Sequence, residues 1–339
     1  MEELYRHFLG GLSLPFLFFG IILFLYILSK GADFFVDGAV ALSEEFHISK
    51  MVIGATIVSL GTTLPELSVS LVASLSGDSQ VALGNAIGSV ICNTALIIGV
   101  AAIISPLAIQ KNQIKKQTFL QLGAAIIIIL FSISYTIFNG SKEIKGNISR
   151  GEGLFLLILL VGYIFLSIKW IRRDRAEAII PDDAEKNVGH HNIIFAKLIV
   201  GIIIVIVSSK LLLPTVQITA SKLGVSNSVI AATLVAFGTS LPELVTSVTA
   251  SLKGHGELAI GNITGANILN ILFVIGISST FSRKGIEVTK DFFTFYFPVM
   301  LLVLGIFSVG ALKAKEKFGR GFGFILLIVY IFITVKSYI

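Results

Sequence analysis

The sequence predicts an all-α polytopic membrane protein: about ten transmembrane helices in two inverted five-helix repeats, with broken helices at a polar site. Three observations carry that expectation. The 339 residues are 55% hydrophobic and only 14% charged, with mean hydropathy +0.92, whereas a soluble domain carries roughly 25% charged residues. Several apolar runs approach the ~20 residues that a helix needs to cross a bilayer. The segment Gly61-Thr62-Thr63-Leu64-Pro65-Glu66-Leu67 also recurs 177 residues later as Gly238-Thr239-Ser240-Leu241-Pro242-Glu243-Leu244.

Apolar runs and their polar interruptions place spans at about 12–42, 50–75, 79–104, 116–138, 151–170, 193–220, 226–252, 257–281, 291–312 and 320–338. The apolar run from Leu12 follows a single basic residue, Arg6, and has no convincing cleavable signal, so it reads as the first span. One clearly polar connection, rich in Arg, Asp and Glu, separates the fifth span from the sixth. This gives a first repeat over 1–171, a connecting loop over 172–192 and a second repeat over 193–339. An odd number of spans per repeat puts the start of the second on the opposite side of the membrane, so the repeats must be inverted, as in many transporters. Of the Lys and Arg residues near span ends, fifteen fall on the side of the 172–192 loop and ten on the other. That bias assigns the loop to the cytoplasm and both termini to the outside. The same basic excess suits a membrane protein and requires no nucleic-acid partner. The single cysteine, Cys92, excludes an internal disulfide and reads as a small core residue.

The 177-residue shift holds without a gap from residue 55 to residue 99. It aligns Ala55-Thr56 with Ala232-Thr233, Gly84-Asn85 with Gly261-Asn262, Gly88 with Gly265, Asn93 with Asn270 and Gly99 with Gly276. Each copy carries a carboxylate beside a helix-breaking proline at membrane depth, where an ionisable group is costly and marks a functional site. Proline cannot donate the helical hydrogen bond, so carbonyls near Gly61 and Gly238 lose a partner. Thr62 and Glu66, like Thr239 and Glu243, are four residues apart and share one helix face. Carbonyls, hydroxyls and carboxylates are hard oxygen donors suited to Na⁺ or Ca²⁺. Soft metals are disfavoured, because no Cys or His accompanies the motif. The next span adds a second stripe, Asn85, Ser89 and Asn93, matched by Asn262, Ala266 and Asn270. Gly84, Gly88, Gly261 and Gly265 permit close backbone approach. Asn85 and Asn262 read equally as interhelical glue or as ligands, whereas Asn93 and Asn270 lean towards ligands. Lys210, 177 residues after Asp33, admits an ion pair across the repeat axis, and His190 and His191 read as solvated.

These paired motifs, G-T-[ST]-L-P-E-L followed by G-N-x-x-G-x-x-x-x-N, closely resemble those of the sodium/calcium exchangers of the cation/calcium antiporter superfamily. In length the chain is similar to the compact prokaryotic members. The resemblance implies that Glu66 and Glu243 coordinate Ca²⁺ and are shared with Na⁺. It implies backbone-carbonyl ligands at Thr62, Thr239, Ser59 and Ala236, and hydroxyl ligands for Na⁺ at Thr63, Ser240 and Ser89. Asn93 matches a polar residue facing the middle of the site. Two positions depart from archaeal relatives: Ala266 stands where a serine hydroxyl would complete a sodium site, and Asn270 stands where an aspartate occurs. The first implies a weaker sodium site in the second repeat, and the second implies independence from K⁺.

The expected function is Na⁺/Ca²⁺ antiport by alternating access, with both ions competing for one mid-membrane site. A Ca²⁺/H⁺ antiporter using the same glutamates is the alternative, and a cation channel is a weaker one. No enzyme activity and no cofactor are expected. Nucleophile–base motifs such as H-E-x-x-H and G-x-S-x-G are missing from the sequence. The expected partners are Ca²⁺, Na⁺ and the lipid bilayer of the cell membrane, with a monomer as the simplest assembly.

Overall fold

The computed structural model describes residues 2–139, 146–177, 191–224 and 238–336. Long apolar sequences satisfy their backbone groups internally as helices, the arrangement that a bilayer demands. A short helix α1 (Glu2–Gly11) precedes α2 (Leu14–Glu45). The bent pair α3 (Lys50–Thr62) and α4 (Leu64–Leu75) follows, then α5 (Gln80–Ile104), α6 (Lys111–Asn139), α7 (Arg150–Glu177) and α8 (His191–Lys222). The second half contains α9 (Leu241–Leu252), α10 (Gly256–Phe281), α11 (Phe292–Lys313) and α12 (Arg320–Lys336).

Among the described residues, seven helices are long and apolar enough to cross a membrane, and eight if the bent pair counts as one span. The difference from ten lies in α9, whose preceding residues 225–237 are outside the described set, and in α12, which has 17 residues. The chain is a multi-pass membrane protein. Its helices divide by burial: the apolar window of α10 is 94% buried and that of α2 only 17%. Phe16, Phe19, Ile22 and Tyr26 of α2 point outwards, as lipid-facing side chains do. α8 lies along α2, and Gly201 brings the two backbones together: a Cβ there would stand 2.6 Å from the Phe35 amide nitrogen.

Among the described residues, four short strands tie the helix ends. β1 (Leu107–Ala108), after α5, pairs antiparallel with β4 (Lys317–Phe318), between α11 and α12. β2 (Gly146–Ile148), between α6 and α7, pairs antiparallel with β3 (Ile286–Val288), after α10. Each sheet thus joins the first half of the chain to the second. A small apolar cluster around Leu28, Val205 and Leu241 and two large ones fill the interior. Of the large ones, one centres on Leu83, Ile128, Leu156 and Val303, and the other on Phe35, Met51, Ile98 and Phe307.

At one end of the bundle, Asp33 takes its cationic partners from Lys253 and Lys30. Asp33 pairs with Lys253 at 3.2 Å and with Lys30 at 3.7 Å, and Lys253 also reaches Asp37 at 2.7 Å. Burial pulls the Lys253 ammonium down, but hydrogen bonds and charge from Asp37 and Asp33 outweigh it and raise its pKa above the usual lysine value. His191 is not simply solvated, since its Nε2 lies 3.1 Å from Glu45 Oε1 and its ring meets Phe46 edge-on; His190 is outside the described residues. A cleft of about 600 Å³ opens at this end between Glu44, His47, Lys50, Gln110, His255 and Glu257.

Candidate functional site

The first motif breaks its helix one residue before the leucine–proline step. Thr63 leaves the α3 spiral and caps α4, and the two helices meet at a 45° bend. Pro65 therefore sits in the first turn of α4 rather than inside a continuous helix, where its missing N–H costs nothing. Ser240 caps α9 in the same way, ahead of Pro242. Glu66 and Glu243 each fall in a first turn, where the helix N-terminus favours negative charge.

Both glutamates are 0% exposed, and none of their four carboxylate oxygens has a hydrogen-bond partner. The two, one from each copy of the motif, share one electrostatic neighbourhood. Glu243 lies close enough to act on Glu66 through its charge, Thr239 and Ser240 stand beside Glu66, and Thr62 stands beside Glu243. Isolated buried charges are strongly unfavourable, so this pair sets up a demand for a cation. Among the described residues, no group of three or more His, Cys, Asp or Glu forms a metal cluster. The available donors are therefore two carboxylates with carbonyls, hydroxyls and amides, a hard-oxygen set.

Thr62, Ser59 and Ser240 are fully buried, Thr63 and Ser89 are 1% exposed, and Thr239 is half-buried. The Ser240 hydroxyl donates to Ser89 Oγ at 3.4 Å. The Thr63 hydroxyl has no partner. Ala236 lies outside the described residues. Asn93 and Asn270 are fully buried with both amide atoms unpartnered. They occupy π-helical turns, Cys92–Ile97 and Asn270–Ile275, a geometry frequent at functional sites. The Asn93 turn packs on α9, which carries Glu243, and the Asn270 turn packs on α4, which carries Glu66.

Asn85 and Asn262, open from sequence as glue or ligands, take part in two matching relays. Thr62 Oγ1 donates to Asn262 Oδ1 at 3.2 Å, and Asn262 Nδ2 donates to Ser247 Oγ at 3.0 Å. Thr239 Oγ1 donates to Asn85 Oδ1 at 3.1 Å, and Asn85 Nδ2 donates to Ser70 Oγ at 2.9 Å. Every member of one relay is 177 residues from its counterpart, so each asparagine braces the opposite repeat's motif. Ser70 and Ser247 obey the same shift, and only the hydrogen bonds reveal their part. Cys92 is buried as expected, yet its thiol also lies beside Ser240. Asn262→Ala is expected to lower stability by about 1–3 kcal/mol, because Ser247 loses its donor in a buried setting; thermal unfolding in detergent measures it.

The fold and site define a helical membrane protein with two unpaired carboxylates at its centre. A family model described as "Sodium/calcium exchanger protein" matches residues 16–169 and 193–339. The sodium/calcium exchanger MaX1 of Methanosarcina acetivorans is 30% identical, the match covering 94% of this chain and 98% of the relative. The inner membrane protein YrbG of Escherichia coli (strain K12) is 32% identical, covering 93% of each chain. Among solved structures, the sodium-calcium exchanger NCX_Mj superposes with a TM-score of 0.79 at 31% identity, covering 95% of this chain and 99% of that one. The chain belongs to the sodium/calcium exchanger family and is of the compact prokaryotic type.

Proposed function

We propose that the protein exports Ca²⁺ from the cytoplasm in exchange for entering Na⁺, by alternating access around one site shared by both ions. The observation that carries this reading is the fully buried Glu66–Glu243 pair, whose four oxygens lack protein partners. Two carboxylates neutralise one Ca²⁺ or two Na⁺, so either load crosses a low-dielectric interior without a large net charge. An empty site would carry two unpaired charges and cross poorly, which couples the two fluxes. Thr62, Thr239, Ser59 and Ala236 contribute backbone carbonyls, Thr63, Ser240 and Ser89 contribute hydroxyls, and Asn93 and Asn270 close the middle of the site. A third Na⁺ would make exchange electrogenic. Asn270 in place of an acid makes transport independent of K⁺.

The chain crosses the bilayer ten times in two inverted five-helix repeats, 1–171 and 193–339, joined by a cytoplasmic 172–192 loop, with both termini outside. Two features support that topology. With ten spans, β1 and β4 fall on one side and β2 and β3 on the other, which matches their pairing. The crossed Thr–Asn–Ser relays also repeat at the 177-residue shift. α2 and α8, packed along each other at the periphery, form the sliding pair.

Vesicles containing the purified protein and loaded with Na⁺ should accumulate ⁴⁵Ca²⁺ when diluted into Na⁺-free buffer. Uptake driven instead by a pH gradient in the absence of Na⁺ would overturn the reading. Ala266→Ser restores the hydroxyl that Ser89 provides in the first repeat. It should lower the Na⁺ concentration that half-inhibits Ca²⁺ uptake by roughly tenfold, since a hydrogen-bond-strength contact to a charge contributes about 1.5–3 kcal/mol and ~1.4 kcal/mol is tenfold.

A further inference from the structure

A second buried polar cluster lies outside the two motifs. Gln117 and Gln121, one turn apart on α6, are 1% and 0% exposed. Gln121 Oε1 accepts from Asn267 Nδ2 at 3.3 Å, and the same Asn267 nitrogen donates to Thr94 Oγ1 at 2.9 Å. One turn along, Gln117 and Ser167 surround the hydroxyl of Tyr163, which itself donates to the Ala55 carbonyl at 2.6 Å. Four atoms of this cluster are buried without a partner: Gln117 Oε1, Gln121 Nε2, Ser167 Oγ and Asn267 Oδ1. Both donors and acceptors are among them, and among the described residues no carboxylate or cationic side chain belongs to the cluster.

Depth and asymmetry argue that the cluster is more than packing. Lys116 Nζ stands 4.9 Å over the Trp170 ring, which fixes the start of α6 beside the end of α7. At 1.5 Å per residue, Gln117 lies ~9 Å and Gln121 ~15 Å along α6 from Lys111, with Gln121 the deeper of the two. Thr94 ends the row, next in sequence to Asn93. At the 177-residue shift Gln117 and Gln121 fall on Thr294 and Pro298 of α11, both exposed, so these two buried amides have no counterpart there.

We propose that α5, α6, α7 and α10 bind a file of ordered water, held by Gln117, Ser167 and Tyr163 at one level and by Gln121, Asn267 and Thr94 at the next. Water is the ligand class that satisfies unpaired donors and acceptors together, each buried molecule making about three hydrogen bonds. The file runs from the α6–α7 end of the bundle to the turn that carries Asn93 and hydrates that turn from outside the two glutamate motifs.

X-ray radiolytic footprinting of the full chain in ¹⁸O-labelled water, read by mass spectrometry, tests this, because bound water oxidises buried side chains that touch it. Tyr163, 4% exposed, should be labelled several-fold faster than Phe307, 1% exposed and packed on Phe318. Gln117→Leu and Ser167→Ala should each slow Tyr163 labelling towards the Phe307 rate. Equal rates for Tyr163 and Phe307 in the unaltered protein would overturn the proposal without any variant having to fold. Fast Tyr163 labelling that persists in both folded variants would also overturn it.

Discussion

Glu66→Gln and Glu243→Gln are each expected to reduce Na⁺-driven Ca²⁺ uptake at least about 100-fold, with fold and expression retained. Removing one member of a buried charged group costs about 3–5 kcal/mol, and ~1.4 kcal/mol is a factor of ten. The loss falls on ion binding, because a single carboxylate leaves Ca²⁺ with uncompensated charge in the interior. Stability in ion-free buffer should move the other way. Both carboxylates are fully buried without partners, and a neutral amide is cheaper to bury than a charge. Each variant should therefore unfold in detergent with chelator at a temperature equal to or above that of the unaltered protein. A variant that lost transport and stability together would mark the glutamate as a structural residue instead.

Gly265→Ala is the second large effect. The backbones of α3 and α10 touch behind the motif: a Cβ on Gly265 would lie 2.5 Å from the Ala55 carbonyl oxygen and 2.5 Å from Ser59 Oγ. Gly261 is as tightly placed against the Met51 carbonyl. The first clash is with backbone, so α3 must shift, and overpacking of this kind costs about 1–3 kcal/mol or more. The shift would carry Ser59 and Thr62, and transport should fall by more than the stability loss alone explains. Gly162→Ala is the control, since a Cβ there meets nothing within 4 Å. It should leave both thermal unfolding and Ca²⁺ uptake near their original values, as a helix-interior Gly→Ala change stabilises by under about 1 kcal/mol.

The motif was legible because a carboxylate at membrane depth is costly and its duplication at a fixed shift is specific. Glu66, Glu243, Thr62, Ser240, Asn93 and Asn270 all lie in the interior, as the repeat implied. Seven spans, or eight with the bent pair, were legible from hydropathy among the described residues, but helix ends were not. α7 continues through the charged Arg172–Glu177 stretch to Glu177, because a helix does not stop where the apolar run does. The bend also fell at Thr63 and not at the proline, since Pro65 starts a helix more readily than it kinks one. The π turns around Asn93 and Asn270 had no sequence signal, because they reflect hydrogen-bond register set by packing. The asparagine relays were unreadable for a related reason. Each links opposite repeats, and only folding shows that Asn262 meets Thr62 while Asn85 meets Thr239.

The central claim is that Ca²⁺ and Na⁺ compete for the same two carboxylates, and equilibrium ⁴⁵Ca²⁺ binding to the purified protein at increasing Na⁺ tests it most directly. One Ca²⁺ should bind per chain, with Na⁺ raising the apparent Kd more steeply than in direct proportion and leaving the binding capacity unchanged. An apparent Kd indifferent to Na⁺, or a capacity that falls while the Kd stays constant, would contradict it.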